Sequence, residues 1–187
     1  MSRQLWPRRR MIHTGEVVNL GIEQAELPNG ERMELEIVRH PGGAAVAAVD
    51  TRDRVCLIRQ YRHAAGGWLW ELPAGKIDAG ERPVQTAARE LTEEAGVRAG
   101  RLESLGSFLS TPGFCDERIH LYLALDLAQA QRSPHPHEVI EIHWLRLDQA
   151  LSLCHEGVIE DAKTLLGLQR AHEWLARRNE RSGVEAS

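Results

Sequence analysis

The sequence predicts an α/β (α+β) chain, a mixed sheet with helices on its faces, preceded by a small N-terminal antiparallel strand unit. Three observations carry this. At Met33, Leu35 and Ile37 apolar residues alternate with charged ones, the period of a half-exposed strand. Between Pro83 and Ala95 they recur at helical spacing instead. Strand-like and helix-like segments follow one another without strict alternation, which argues for a mixed sheet over a purely parallel one. The 187 residues, 42% of them hydrophobic and 27% charged, suffice for one ordinary domain with an extension but not for two full domains.

Taken in order, residues 1–14 read as a basic tail. Residues 15–40 read as the strand unit, with a turn at Leu27-Pro28-Asn29-Gly30, and His40-Pro41-Gly42-Gly43 breaks the chain before the main domain, 41–178. Two strands are predicted over Ala44–Asp50 and Val55–Arg59, joined at Thr51-Arg52-Asp53. The clearest helix is Pro83–Ala95: Val84, Ala87, Ala88, Leu91 and Ala95 form its stripe, Pro83 suits its first turn and Gly96 its end. Strands follow around Leu105–Leu109 and Ile119–Leu125, then a loop at 128–138 and a strand at Ile140–Leu145. Asp148 is placed to cap a short helix, Ala162–Ala176 forms the last one, and 179–187 is a C-terminal tail.

A net charge of −4 does not suggest a non-specific nucleic-acid binder. Of the 23 basic residues 21 are arginine, a side chain suited to two-pronged capture of phosphate oxygens. Cys56, Cys115 and Cys154 lie too far apart for a disulfide framework or a structural zinc site. No apolar run approaches the ~18 residues of a membrane helix. Arg8-Arg9-Arg10 is not followed by the apolar run of an export signal, so the cytoplasm is the expected location.

The chemistry concentrates between Gly75 and Val97. Glu90 and Glu94 stand one helical turn apart beside the apolar stripe, whereas Glu93 points away from it. Like charges at that spacing repel by a few tenths of a kcal/mol, and a bound cation turns the repulsion into coordination. Clustered carboxylates without neighbouring histidine or cysteine favour magnesium, or manganese in its place, over zinc. Arg89 is placed to hold a carboxylate such as Glu81, and Gly75 and Gly80 let the backbone turn tightly beside the site. Glu93-Glu94 alone reads as a solvated acidic face. The longer pattern does not.

From Gly75 to Val97 the chain matches Gly-x5-Glu-x7-Arg-Glu-aliphatic-x-Glu-Glu-x-Gly-aliphatic at every specified position, and so resembles the Nudix hydrolases. The resemblance implies a Nudix αβα sandwich with a mixed central sheet, and hydrolysis of a nucleoside diphosphate linked to another group. It makes Glu90 and Glu94 the main metal ligands, with the carbonyl of Ala74 as a further one. Glu93 becomes another ligand or the base, and Glu81 and Arg89 support them.

Residues outside that stretch resemble the ADP-ribose pyrophosphatase branch. They are Pro112 and Gly113 in Ser110–Phe114, Arg59-Gln60-Tyr61-Arg62 with Trp70–Lys76, Gly157–Thr164, and the N-terminal strand unit itself. The resemblance implies hydrolysis of ADP-ribose to AMP and ribose 5-phosphate, and a homodimer joined through the strand unit. Charge and the lack of a long apolar run lead to the expectation of no nucleic-acid or membrane partner. A broader nucleotide-sugar pyrophosphatase, acting for example on GDP-mannose, and a non-catalytic ADP-ribose sensor are the alternatives. Arg62 is the candidate grip on the diphosphate or terminal ribose, against a plain salt bridge, and Arg39 is a second. Trp68 and Trp70 either stack on a base or pack on the sheet. Glu138, at the end of the 128–138 loop, matches the position of a general base but equally suits a ligand or bystander. His137 is the lesser proton acceptor, and Glu141 another acid in reach by sequence.

Overall fold

The structure is a computed structural model and describes residues 9–15, 17–133, 135 and 138–184, with side chains described up to residue 180. His137 lies outside the described residues. The chain forms two compact units, one comprising the segment before Gly43 together with Leu109–Arg118, the other Gly43–Phe108 with the remainder from Ile119.

In the first unit β1 (Arg9–Thr14), β2 (Asn19–Glu26) and β3 (Arg32–Arg39) form an antiparallel sheet in the order β1-β2-β3. The β2–β3 hairpin turns at the expected place, with Gly30 at φ 85° and the Leu27 amide donating to the Glu31 carbonyl at 2.8 Å. Strand β1 occupies ground expected to be tail. Its Arg9 guanidinium pairs with Glu23 and donates to the Asn19 carbonyl at 2.8 Å, so a residue that looks solvated in sequence is anchored in a sheet. Segment 109–118 joins this unit because Val38 donates to the Phe114 carbonyl at 2.8 Å and Arg39 to Asp116 at 3.0 Å. Pro112 and Gly113 therefore go with the strand unit and not with the main domain, where residues 41–178 were expected to hold them.

The second unit contains β4 (Gly43–Ala48), β5 (Arg54–Arg62), β6 (Gly67–Glu71), β7 (Ala74–Lys76), α1 (Pro83–Ala95), β8 (Val97–Leu109), β9 (Arg118–Gln129), β10 (Ile140–Arg146), α2 (Leu147–His155) and α3 (Ala162–Val184). One sheet runs β7-β4-β9-β8, with β4 parallel to β9 and antiparallel to β7, and an antiparallel sheet runs β10-β5-β6. Strand β4 shows why helices cover both faces. Its alternate residues Ala44, Val46 and Ala48 pack with Ala87, Leu91 and Ala95 of α1, while Ala45 and Ala47 pack with Leu168 and Ala171 of α3. Small residues throughout β4 let both helices approach, and burial on both sides explains its unbroken apolar run.

Some elements differ from expectation. Asp148 sits inside the first turn of α2, and the capping position is Arg146. Helix α3 continues past Ala176 and into the expected tail, its polar end braced by Glu173 and Arg177 one turn apart. No helix among the described residues is long and apolar enough to cross a membrane.

Candidate active site

Pro83 opens α1, the Gln85 side-chain oxygen accepts the Arg82 amide at 3.0 Å, and Gly96 closes the helix at φ 67°. Once the stripe of Ala87, Leu91 and Ala95 is packed on β4, the adjoining acids are drawn inward. Glu94 is 1% and Glu90 8% exposed, while Glu93 stays half-buried. Strand β7 faces them. The Ala74 amide donates to Glu94 Oε2 at 2.8 Å, and a Cβ on Gly75 would meet Glu90 Oε1 at 1.8 Å. Gly75 thus supplies room, not a turn. Gly80, at φ 85°, is the glycine whose backbone conformation demands it.

Arg89 braces the cluster. Its Nε and Nη2 hold Glu81 at 2.9 and 3.0 Å, its Nη1 holds Glu90 at 2.7 Å and Glu93 at 3.2 Å, and Nη2 also reaches the Lys76 carbonyl at 3.2 Å. The Arg89 fork, helped by the Thr86 hydroxyl at 2.8 Å, holds the Glu81 carboxyl down at about 2. Burial acts the other way on the inner pair. It pushes Glu94 up to about 8, with Glu90 and Glu138 adding to the rise and the Ala74 amide opposing it. Burial likewise raises Glu90, with Glu93 and Glu138 adding and Arg89 opposing. The charge of Glu138 is therefore felt by both inner acids, and its Oε2 accepts the His135 amide at 3.1 Å.

The structure thus gathers Ala74, Glu81, Arg89, Glu90, Glu93 and Glu94 through hydrogen bonds, whereas Glu138 bears on the inner pair through its charge alone. Arg62 stands nearby, its charge felt at Glu94, but its Nε and Nη2 fork onto Glu71 at 2.8 and 2.9 Å. Arg39 belongs to the strand unit and is held by Glu23 and Asp116. Beside Pro112 and Gly113, Glu117 closes the loop by accepting the Ser110 hydroxyl at 2.6 Å. Glu141 faces Arg59 at 3.7 Å, on the side of β10 opposite Ile142, which packs towards α1. Trp68 and Trp70 flank the Arg59 guanidinium at 5.6 and 5.5 Å, and Trp70 packs on the core beneath α3, so both rings have partners within the fold.

The residues present fit a hard divalent cation. Two buried carboxylates crowd each other, and like charges so placed are relieved by coordination. Among the described residues no three acidic, histidine or cysteine side chains close around one point. Two carboxylates suit a hard cation that keeps water among its ligands, whereas a structural zinc cage needs four protein ligands.

The NUDIX domain model matches residues 39–168. The chain belongs to the Nudix hydrolase family. Its relatives include a methanol dehydrogenase activator from Bacillus methanolicus, 40% identical over 164 residues that cover 87% of this chain and 89% of that one. An ADP-ribose pyrophosphatase from Bacillus subtilis (strain 168) is 38% identical over 86% of this chain and 88% of its own. In structure the Nudix chain superposes on an ADP compounds hydrolase with a TM-score of 0.79 at 24% identity, covering 95% of this chain and 98% of that one, a likeness of fold.

Glu71, Asp161, Lys163 and Thr164 lie in Trp70–Lys76 and Gly157–Thr164, two stretches that carry a resemblance in sequence but no role for any of the four, and the structure joins the two stretches. Glu71 is 1% exposed and bonded by both Arg62 and Lys163, the latter at 2.6 Å. Its signal was an acid standing alone in the apolar run Trp68-Leu69-Trp70-Glu71-Leu72. Its partner lies 92 residues away and leaves no local trace.

Proposed function

We propose that the protein hydrolyses the diphosphate bridge of a nucleoside diphosphate sugar with magnesium, or manganese in its place, and that ADP-ribose is the substrate, giving AMP and ribose 5-phosphate. The observation that carries this is the buried pair Glu90 and Glu94, facing a glycine-walled strand and braced by one arginine. A bound divalent cation polarises phosphate oxygens and lowers the pKa of a water enough for attack on phosphorus at neutral pH. In this reading Glu90, Glu94 and the Ala74 carbonyl hold that ion, with Glu93 as a further ligand. Arg89 and Glu81 keep the inner acids in place. Glu138, the loop acid whose charge raises both inner carboxyls, takes the proton of the attacking water. Arg62 offers the diphosphate its Nη1 alone, since Glu71 occupies its other two nitrogens.

The relative named ADP-ribose pyrophosphatase supports that substrate over GDP-mannose. Binding roles for Arg39, Pro112 and Gly113 rest on the resemblance. The reading includes a cytoplasmic homodimer joined through the N-terminal strands, without nucleic-acid or membrane partners. Exposed Met11, Ile12 and Met33 on those strands support the dimer. The name of the Bacillus methanolicus relative favours a second reading, in which the same site serves to activate a dehydrogenase. Unchanged turnover of a purified methanol dehydrogenase on adding the protein removes it.

Two variants test the site. Glu94→Gln should abolish magnesium-dependent turnover in a folded protein, and near wild-type activity contradicts the metal assignment. Glu138→Gln should lower kcat by about 10²–10⁴-fold with metal binding little changed. An unchanged kcat moves the base role to Glu93.

A further inference from the structure

The wall that faces α1 across the site is the segment Glu71–Gly75, and it is held at every residue. Glu71 is bonded by Arg62 and Lys163. The Leu72 amide donates to Thr164 Oγ1 at 2.8 Å, and the Pro73 carbonyl accepts the Val46 amide at 2.9 Å. The Ala74 amide reaches Glu94, and Gly75 lies against Glu90. Two of these anchors, at Glu71 and Leu72, come from the first turn of α3, 92 residues further along the chain. Asp161 locks that turn, accepting the Thr164 amide at 3.0 Å, the Thr164 hydroxyl at 2.6 Å and Lys163 Nζ at 2.9 Å.

Thr164 and Leu72 are both fully buried. No water reaches the Leu72 amide, so the threonine hydroxyl is its acceptor, and a buried donor without a partner costs more than an ordinary hydrogen bond contributes. Two residues beyond Leu72, the Ala74 amide bears on one of the two inner carboxylates. Groups of this kind, which orient a metal ligand without touching the metal, set affinity through the ligand's geometry.

We propose that Thr164 is a positioning residue for the metal site. By fixing Leu72 it holds the Ala74 amide against Glu94, and so couples the start of α3 to the affinity of the site for a divalent cation. The inference rests on the metal-dependent reading above.

Thr164→Val keeps the shape and removes the hydroxyl, Thr164→Ser restores the hydroxyl, and Leu168→Val disturbs the same core one turn on while leaving the clamp's hydrogen bonds in place. Two quantities decide: the Mn2+ dissociation constant, from the free-ion electron paramagnetic resonance signal, and amide exchange at Ala74 in metal-free protein. Thr164→Val should weaken Mn2+ binding by about 10-fold or more and speed Ala74 exchange. Thr164→Ser should recover both, and Leu168→Val should change neither. Asp161→Asn loosens the same clamp without altering the core and carries the test if Thr164→Val does not fold. Wild-type affinity and exchange in Thr164→Val, or equal shifts in Leu168→Val, overturn the proposal while leaving the hydrolase reading intact. A wild-type protein that neither binds Mn2+ nor cleaves a nucleotide sugar overturns the hydrolase reading instead, and with it the coupling to the metal, whatever Ala74 exchange shows.

Discussion

Replacing Gly75 by alanine puts a methyl carbon 1.8 Å from Glu90 Oε1, well inside van der Waals contact. Either Glu90 leaves its place or β7 moves, and displacements of about 1 Å near reacting groups cost on the order of 100-fold in rate. Activity should fall by that factor while the circular dichroism spectrum stays that of the wild type. Wild-type kcat/KM in this variant means that the placement of Glu90 does not limit the reaction. At this scale the sequence was informative where spacing alone sets position. Glu90 and Glu94 one turn apart, and Arg89 beside them, follow from helical geometry. Arg62 was harder, because its commitment to Glu71 depends on two strands meeting. The purpose of Gly75 was also hidden, since the atom it makes room for belongs to another element.

Among elements, α1 was legible to the residue, since Pro83, the apolar stripe and Gly96 agree on its ends. Strands β6 and β7 were not, because Trp68-Leu69-Trp70 shows no alternation and a three-residue strand has too little sequence to show a period. The ends of β5 and β6 are fastened to α3 through Glu71. Burial tends to raise its carboxyl, but hydrogen bonds from Arg62 and Lys163 outweigh burial and hold it below the ordinary 4.5. A carboxylate lowered in the folded state contributes stability that is fully present above its unfolded value and is lost as pH falls through the folded one. Urea unfolding should therefore show stability declining below about pH 4.5 as the unfolded chain takes up its proton first. Glu71→Gln should be destabilised by about 1–3 kcal/mol at pH 7, because the half-exposed Arg62 regains water while the more buried Lys163 keeps only Asp161 as its charged partner. It should also lack this part of the acid decline. Parallel pH profiles for the two proteins contradict the assignment.

At the scale of the whole molecule, the grouping of Leu109–Arg118 with the first unit was not legible in the sequence. That grouping is made by backbone bonds from Val38 to Phe114 and from Asp116 to Val38, which no local pattern records. A dimer built on β1 and β3 predicts that Met11→Glu with Met33→Glu shifts sedimentation from dimer to monomer, and a wild-type protein already monomeric at micromolar concentration removes the dimer. The central claim concerns chemistry and is tested most directly by phosphate release, after a coupled phosphatase step, across nucleotide sugars and triphosphates with magnesium present or chelated. The account predicts magnesium-dependent cleavage of ADP-ribose in preference to GDP-mannose and to triphosphates. Tight binding of ADP-ribose with no turnover of any of them, magnesium present, contradicts it.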